Sequence, residues 1–295
     1  MKKTSLVIDG NYLMFQSFYA TYRGDLETIL RSSKGVPTNA ISIFMSQLIK
    51  LIYFIDPDCL FIAFDAKEKT SRHLEYSEYK SGRTKAPNEL FIQFDLIKEL
   101  LTKLNITWME KSGYEADDLI ATYTKVIPGE KYIFSRDKDL LQLVNEEVSI
   151  VEKTSYGYEI LDNDNFYDKY SFYPNQVVSY KGLKGDPSDN LPGIKGIGDV
   201  TAIKLLKSFG TFENIYANLD SKEITASVRK KLIEGQKDGY MCYKLAQLVY
   251  DVPDFPTKEI DFLINVDYSN AKDLIDELEL KKLWSYLKEL HNHLF

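Results

Sequence analysis

Residues 59–65 read Cys-Leu-Phe-Ile-Ala-Phe-Asp, an unbroken apolar run closed by an acid. A run this short and this apolar is the pattern of a strand buried on both faces. The form recurs upstream in Leu6-Val7-Ile8, which ends at Asp9-Gly10, and downstream in Tyr132-Ile133-Phe134, followed by Ser135-Arg136-Asp137. Ile106–Met109 and Val148–Val151 are further strand candidates. Amphipathic stretches lie between them. Residues 40–55 carry Ile41, Phe44, Met45, Leu48 and Ile52 at helical spacing and stop at Asp56-Pro57-Asp58. Residues 89–104 read the same way, as do residues 115–126, which end before Pro128-Gly129. Alternating elements with fully apolar strands predict an α/β fold, a parallel sheet covered by helices on both faces. Beyond about residue 175 strand signals fade and helical periodicity takes over, at 201–209, 225–234 and 271–290. Two units are expected, 1–175 and 176–295.

The chain has 295 residues, 44% of them hydrophobic and 27% charged, which is enough to bury a core without disulfide or metal staples. No apolar stretch approaches the roughly 20 residues that span a bilayer, so no membrane partner is expected. The N-terminal apolar run is cut at Asp9, so no secretory segment is expected. Two cysteines, Cys59 and Cys242, are too few for a zinc site or a disulfide framework, and the cytoplasm is the expected compartment. The net charge of −7 argues at first against a nucleic-acid partner. Setting aside nine acids that cluster by motif leaves the remainder at +2, so a polyanionic substrate stays open.

Those acids carry the chemistry. Sites in open α/β sheets form outside the carboxyl ends of the strands, where Asp9, Asp65 and Asp137 would converge. Asp is common in turns, which explains any one of them more easily than all three. Glu115, Asp117 and Asp118 crowd the start of one helix. Acids there complement the helix dipole, yet packing them together costs free energy unless a cation compensates. Asp137 and Asp139 repeat the theme, and so do Asp186 and Asp189, three apart. Oxygen ligands with no conveniently placed His or Cys suit Mg²⁺ or Mn²⁺. Nine acids exceed the needs of one ion and suit a two-metal site for displacement at phosphorus.

A second pattern is Gly193-Ile194-Lys195-Gly196-Ile197-Gly198, followed by Asp199-Val200-Thr201-Ala202 and an amphipathic helix. Closely spaced glycines let backbone N–H groups approach a phosphate. The pattern is similar to a helix-hairpin-helix that grips a DNA backbone, with Lys195, Lys204 and Lys207 supplying charge. Residues 66–88 are polar and long for a connection. Within them, 67–85 holds six basic residues and three acids, with Tyr76 and Tyr79 as candidate base-stacking rings.

Taken in order, LVIDGNYLMF, KGVPTNAISIF, FIAFDAK, EYKSGR, GYEADDLIA, SRDKDLLQLV and GDPSDNLPGIKGIGDVTAIKLL, with the tail around Leu280 to Leu283, resemble the 5′–3′ exonuclease domain of bacterial DNA polymerase I, part of the flap endonuclease family. The resemblance runs from about Leu6 to the C-terminus and stops where a polymerase would continue, which implies a stand-alone form. It implies a PIN-like, mostly parallel sheet flanked by helices, and a helical region with a helix-three-turn-helix, a helix-hairpin-helix-like motif, at about 190–210. It implies metal-dependent cleavage of DNA at 5′ flaps, nicks and 5′ ends, RNA primers on DNA as further substrates, a monomer and a functional link to a separate DNA polymerase. One ion would draw on Asp9, Asp65, Glu115 and Asp117, and the second on Asp118, Asp137, Asp139, Asp186 and Asp189. Residues 66–88 would form a helical arch over a single-stranded 5′ end, with Lys80, Arg83 and Arg72 as its positively charged catalytic residues. Gly193, Lys195, Gly196 and Gly198 would hold the duplex backbone, with Lys204 beside them and a K⁺ ion on the loop carbonyls.

One place departs from the family. Where an aromatic residue is usually followed by Arg, this chain has Phe15-Gln16, which keeps a donor and loses a charge. Two rival readings remain at this stage: a catalytically weak or inactive flap-DNA-binding paralogue, and a phosphatase of the haloacid-dehalogenase type, whose D-x-D is missing at Asp9-Gly10-Asn11. The glycine loop yields a prediction. Lys195→Glu should weaken binding to flap and blunt duplexes alike and flatten the salt dependence of binding. An unchanged salt slope would move the duplex surface elsewhere.

Overall fold

The computed structural model describes residues 2–82 and 84–294. Six strands form one sheet: β1 Thr4–Asp9, β2 Cys59–Ala63, β3 Trp108–Met109, β4 Glu130–Phe134, β5 Val148–Thr154 and β6 Gly157–Leu161. Their order is β3-β2-β1-β4-β5-β6. The first five run parallel, and β6 returns antiparallel on β5. The helices of the first half are α1 Gly10–Tyr19, α2 Asn39–Ile55, α3 Ser71–Glu75, α4 Asn88–Lys103, α5 Ala116–Val126 and α6 Phe166–Tyr170. The second half contains α7 Val177–Lys184, α8 Asp199–Phe209, α9 Phe212–Ala217, α10 Ala226–Glu234, α11 Gln236–Leu245, α12 Lys272–Glu277 and α13 Lys281–Leu294.

Strand alternation sorts the core into two layers. Leu6 and Ile8 of β1 face Leu13, Phe44, Leu48 and Ile97, on α1, α2 and α4. Val7 faces the other way, into a layer with Phe61, Leu119, Tyr123, Leu183 and Phe212. In that layer the Phe61 and Tyr123 rings stack at 5.2 Å, and the Tyr123 hydroxyl donates to Ser5 Oγ at 2.9 Å. A buried phenol needs such a partner.

The parallel sheet expected from the apolar runs is present, with three differences. First, α1 begins at the very end of β1. This leaves no room for a side chain at Gly10, where a Cβ would lie 2.5 Å from the Phe64 ring. Second, β6 returns antiparallel on β5 with only Leu161 buried, so it offers no run of the buried-strand type. Third, the helix read across 271–290 is two helices, divided at Leu278–Leu280, with Glu279 at φ +56°. That tail does not stay with the helical half. Leu274, Ile275, Leu283, Leu287 and Leu290 join the layer of α1, α2 and α4. No helix among the described residues is long and apolar enough to cross a membrane.

The passage from α5 to β4 depends on one glycine. Gly129 has φ +98°, and a Cβ there would lie 2.2 Å from the Lys3 carbonyl oxygen. The next residue, Glu130, donates its N–H to that same carbonyl at 3.0 Å. Gly129→Ala should therefore strain the backbone and loosen the β1–β4 pairing, at a cost of about 1–3 kcal/mol. Urea unfolding would measure it, and an unchanged midpoint would show that this turn relaxes freely.

Candidate metal centre and nucleic-acid interface

The chain leaves β1 at Asp9, which also caps α1. Its Oδ1 accepts the Tyr12 N–H at 2.8 Å and its Oδ2 accepts Ser135 Oγ–H at 2.6 Å. Ser135 follows β4, the neighbour of β1, and its Oγ also accepts the Asp137 N–H at 3.0 Å. Beyond β2, Asp65 is held on both sides. Asn11 accepts its N–H and donates to its Oδ2, both at 2.9 Å, and the Ala116 N–H at the start of α5 donates to its Oδ1 at 2.8 Å. Asp117 lies in the first turn of α5. Asp117, Asp137 and Asp139 can each turn one carboxylate oxygen to within 4.8 Å of the others. This clustering lies at the switch point between β1 and β4, where the chain's progress across the sheet reverses.

Burial sets the electrostatics. It pushes the Asp9 carboxyl up from 3.8 to about 7; Asp65 and Asp137 add to the rise, while Ser135 and Tyr12 oppose it. Asp139 is likewise pushed up to about 7, chiefly by burial, against the pull of Lys181. Asp117 is raised for the same first reason, with Asp137 and Asp9 adding repulsion. Asp186 behaves differently. Burial raises it, but Lys181 and Ser188 outweigh that and hold it down at about 2.

Lys181 is the residue that the sequence did not single out. It is buried on α7, bonds Asp139 through Nζ and lies 2.7 Å from Asp186 Oδ2. Burial works against its charge, and Asp139, Asp137 and Asp186 override it, so its pKa is raised. No local spacing links Lys181 to Asp139, forty-two residues away. Lys80, by contrast, was expected at this place. Its Nζ donates to Glu115 Oε2 at 2.9 Å. Its backbone takes φ +57°, unusual for a side-chain-bearing residue, and its N–H donates to the Asp189 carbonyl at 3.0 Å.

Several of the expected site residues are held by neighbouring groups. Asp118, expected among the metal ligands, is 1% exposed and saturated. Its Oδ1 accepts Arg72 Nη2–H at 2.7 Å and the Val249 N–H at 2.9 Å, and its Oδ2 accepts Arg72 Nη1–H at 2.8 Å and the Glu115 N–H at 3.1 Å. Arg72, expected as a positively charged catalytic residue, is the buried half of that fork and also donates to the Leu245 and Gln247 carbonyls. The pair fixes the start of α5. Tyr79, expected to stack on bases, is buried, with its hydroxyl 3.2 Å from both Glu115 Oε2 and Asp189 Oδ2. Tyr76 is half-buried against the cluster of Leu191, Cys242 and Leu245. Between residue 66 and the start of α4 at Asn88, α3 is the only α-helix among the described residues, and Arg83 lies outside them. The segment is docked on the helical half: Asn190 donates to the Glu78 carbonyl at 2.9 Å, and Lys244 pairs with Glu75 at 2.6 Å.

A cleft of about 760 Å³ opens over the acids, lined among others by Asp9, Asp65, Lys80, Asp117, Asp137 and Asp186. The glycine loop joins α7 to α8. Gly193 and Gly196 have φ +63° and +84°, and Gly198 caps α8. Lys195 and Lys204 are exposed, and Lys231 Nζ donates to the Gly196 carbonyl at 3.0 Å.

Residues 4–171 match the family described as 5′-3′ exonuclease, N-terminal resolvase-like domain, and residues 172–265 match its C-terminal SAM-fold domain. The chain belongs to the 5′-3′ exonuclease family. It is therefore an enzyme, a nuclease, and the phosphatase reading falls away. A 5′-3′ exonuclease of Aquifex aeolicus is 37% identical to it over 98% of this chain and 95% of its own length. DNA polymerase I of Thermus thermophilus is 37% identical over 87% of this chain, which spans only 29% of that polymerase. Two solved structures share the fold. The T5 D15 protein co-crystallised with metal ions has a TM-score of 0.66 at 20% identity, covering 98% of this chain and 99% of its own. The catalytic core of Rad2 in complex with DNA substrate has a TM-score of 0.63 at 17% identity, covering 98% and 92%.

The raised carboxyls of this nuclease carry a stability signature. Asp9 and Asp139 hold protons in the folded chain up to about pH 7, which they lose near 3.8 when unfolded. Their contribution is full below the lower value and is lost as pH rises through the upper one. In EDTA the melting temperature should fall between pH 5 and pH 8. Mn²⁺ should raise it more at pH 8, where the carboxylates are ionised, than at pH 5. A melting temperature that rises with pH in EDTA would contradict the crowding of these acids.

Proposed function

We propose that the acid cluster holds two Mg²⁺ or Mn²⁺ ions and that the chain hydrolyses phosphodiesters at 5′ flaps, nicks and 5′ ends of DNA, and RNA primers annealed to DNA. The observation that carries this reading is the meeting of Asp117, Asp137 and Asp139 oxygens within 4.8 Å, beside Asp9 and Asp65. The donor set fits: it is all oxygen, buried, and too crowded to be fully ionised without added positive charge. Asp9, Asp65, Glu115 and Asp117 would hold one ion, and Asp137, Asp139, Asp186 and Asp189 the second, some through water. When bound, such ions activate water and stabilise the leaving oxygen at phosphorus.

The chain's own residues do the rest. Asn11 and the α5 N-terminus orient Asp65, and Ser135 orients Asp9. Lys181 supplies positive charge to Asp139 and Asp186. Lys80, at the cleft wall, offers charge to the phosphate as negative charge develops. We assign duplex backbone contacts to Gly193, Lys195, Gly196, Gly198 and Lys204. A K⁺ ion on that loop would share the Gly196 carbonyl with Lys231. Action as a cytoplasmic monomer, serving a separate polymerase, completes the reading.

The decisive test is Asp117→Asn. It should lower Mg²⁺-dependent cleavage of a 5′-flap duplex at least about 100-fold, the scale for losing one preorganised transition-state contact. It should leave the fold intact and raise the melting temperature in EDTA by relieving repulsion. Full activity in this variant would sink the ligand assignment.

A further inference from the structure

We propose that Arg136 is a substrate-contacting residue of this nuclease, pairing its guanidinium with a backbone phosphate of the strand that lies in the cleft. The proposal rests on reading that cleft as the nuclease site. Arg136 lines it together with Tyr12, Asp9, Asp65, Lys80 and Asp137. The side chain is exposed, and its one hydrogen bond to a described residue runs from Nη2 to the Lys153 carbonyl at 3.1 Å. Most of its donors are therefore open, in the planar fork that matches a phosphate.

The need for such a cation follows from the cleft's other charges. Asp9, Asp65, Asp117, Asp137 and Asp186 face it, and a polyanion entering must meet positive charge beyond that of the ions. Of the cations around it, Lys181 is paired with Asp139 and Asp186 and Arg72 with Asp118, and Lys80, the cation assigned above to the developing charge, is shared with Glu115. Helix α1 contributes Tyr12, Phe15 and Tyr19 to the cleft and carries no basic residue. Its Gln16 turns its amide onto the Tyr12 hydroxyl at 2.6 Å. Positive charge beside Tyr12 has to come from another element. Residue 136 is well placed to supply it, because its neighbours are anchored. Ser135 is bonded to Asp9, and the Asp137 N–H to Ser135 Oγ. Lys138 also reaches the cleft, as a flexible point charge; the fork at 136 is the better match for a phosphate.

The test compares wild type, Arg136→Ala and Arg136→Lys on a 5′-flap duplex carrying single neutral methylphosphonates at successive positions around the junction. Arg136→Ala should raise KM about tenfold, the scale of a charge-assisted hydrogen bond, with kcat little changed, and Arg136→Lys should recover part of the loss. One methylphosphonate position should weaken wild type and cost Arg136→Ala nothing further. Equal losses at every position, or an unchanged KM, would overturn the proposal while leaving the nuclease reading in place. Binding measured in Ca²⁺ across a salt series separates the two readings. If wild type binds flap DNA but does not cleave it, a salt slope reduced in Arg136→Ala still supports the contact. If wild type neither binds nor cleaves, both fall.

Discussion

Parallel strands send their carboxyl ends to one side, and neighbouring strands lie only about 4.8 Å apart. An acid placed just past β1, β2 and β4 is thereby forced against its counterparts. The rest of the site is arranged around that constraint. Ser135 and Asn11 offer hydrogen bonds to the ionised forms, the α5 N-terminus offers its N–H groups, and Lys181 and Lys80 offer charge. Crowding that would burden a purely structural sheet end gives this one an acidic cluster fit to hold metal.

The helical half matters because it supplies what the sheet cannot. α7 packs through Leu183 into the layer beneath the sheet and carries Lys181 to the acids from that side. The loop after it brings Asp186 and Asp189, and it receives the segment around Lys80, whose N–H meets the Asp189 carbonyl. Arg72 crosses to the Leu245 and Gln247 carbonyls while forking onto Asp118. Sheet end, connecting segment and helical half are thus tied at one point, and the cleft lies where they meet. A buried Arg–carboxylate fork is costly to desolvate and specific in geometry, which suits a residue that sets the start of α5.

The tail shows how packing overrides sequence position. Leu283, Leu287 and Leu290 lie far along the chain from α2, yet they complete its apolar layer. The chain closes on its own beginning, and the two sequence domains share a core more than a linear division suggests.

By itself the sequence determined the parallel sheet, because unbroken apolar runs of strand length have no other way to be buried. It also determined the acid-rich end of that sheet, because strand direction follows from the alternation with helices. The glycine loop was legible from the spacing of its glycines. Only the tertiary structure decided which acids stay available. Asp117, Asp137 and Asp139 converge, whereas Asp118 is consumed by Arg72, and nothing local distinguishes Asp118 from its neighbour. The same holds for Lys181, Tyr79 and Arg136. Whether a charged or aromatic side chain is a counter-ion, a buried hydrogen-bond donor or an open cation depends on partners tens of residues away. That information resides in burial and pairing, which no spacing along the chain encodes.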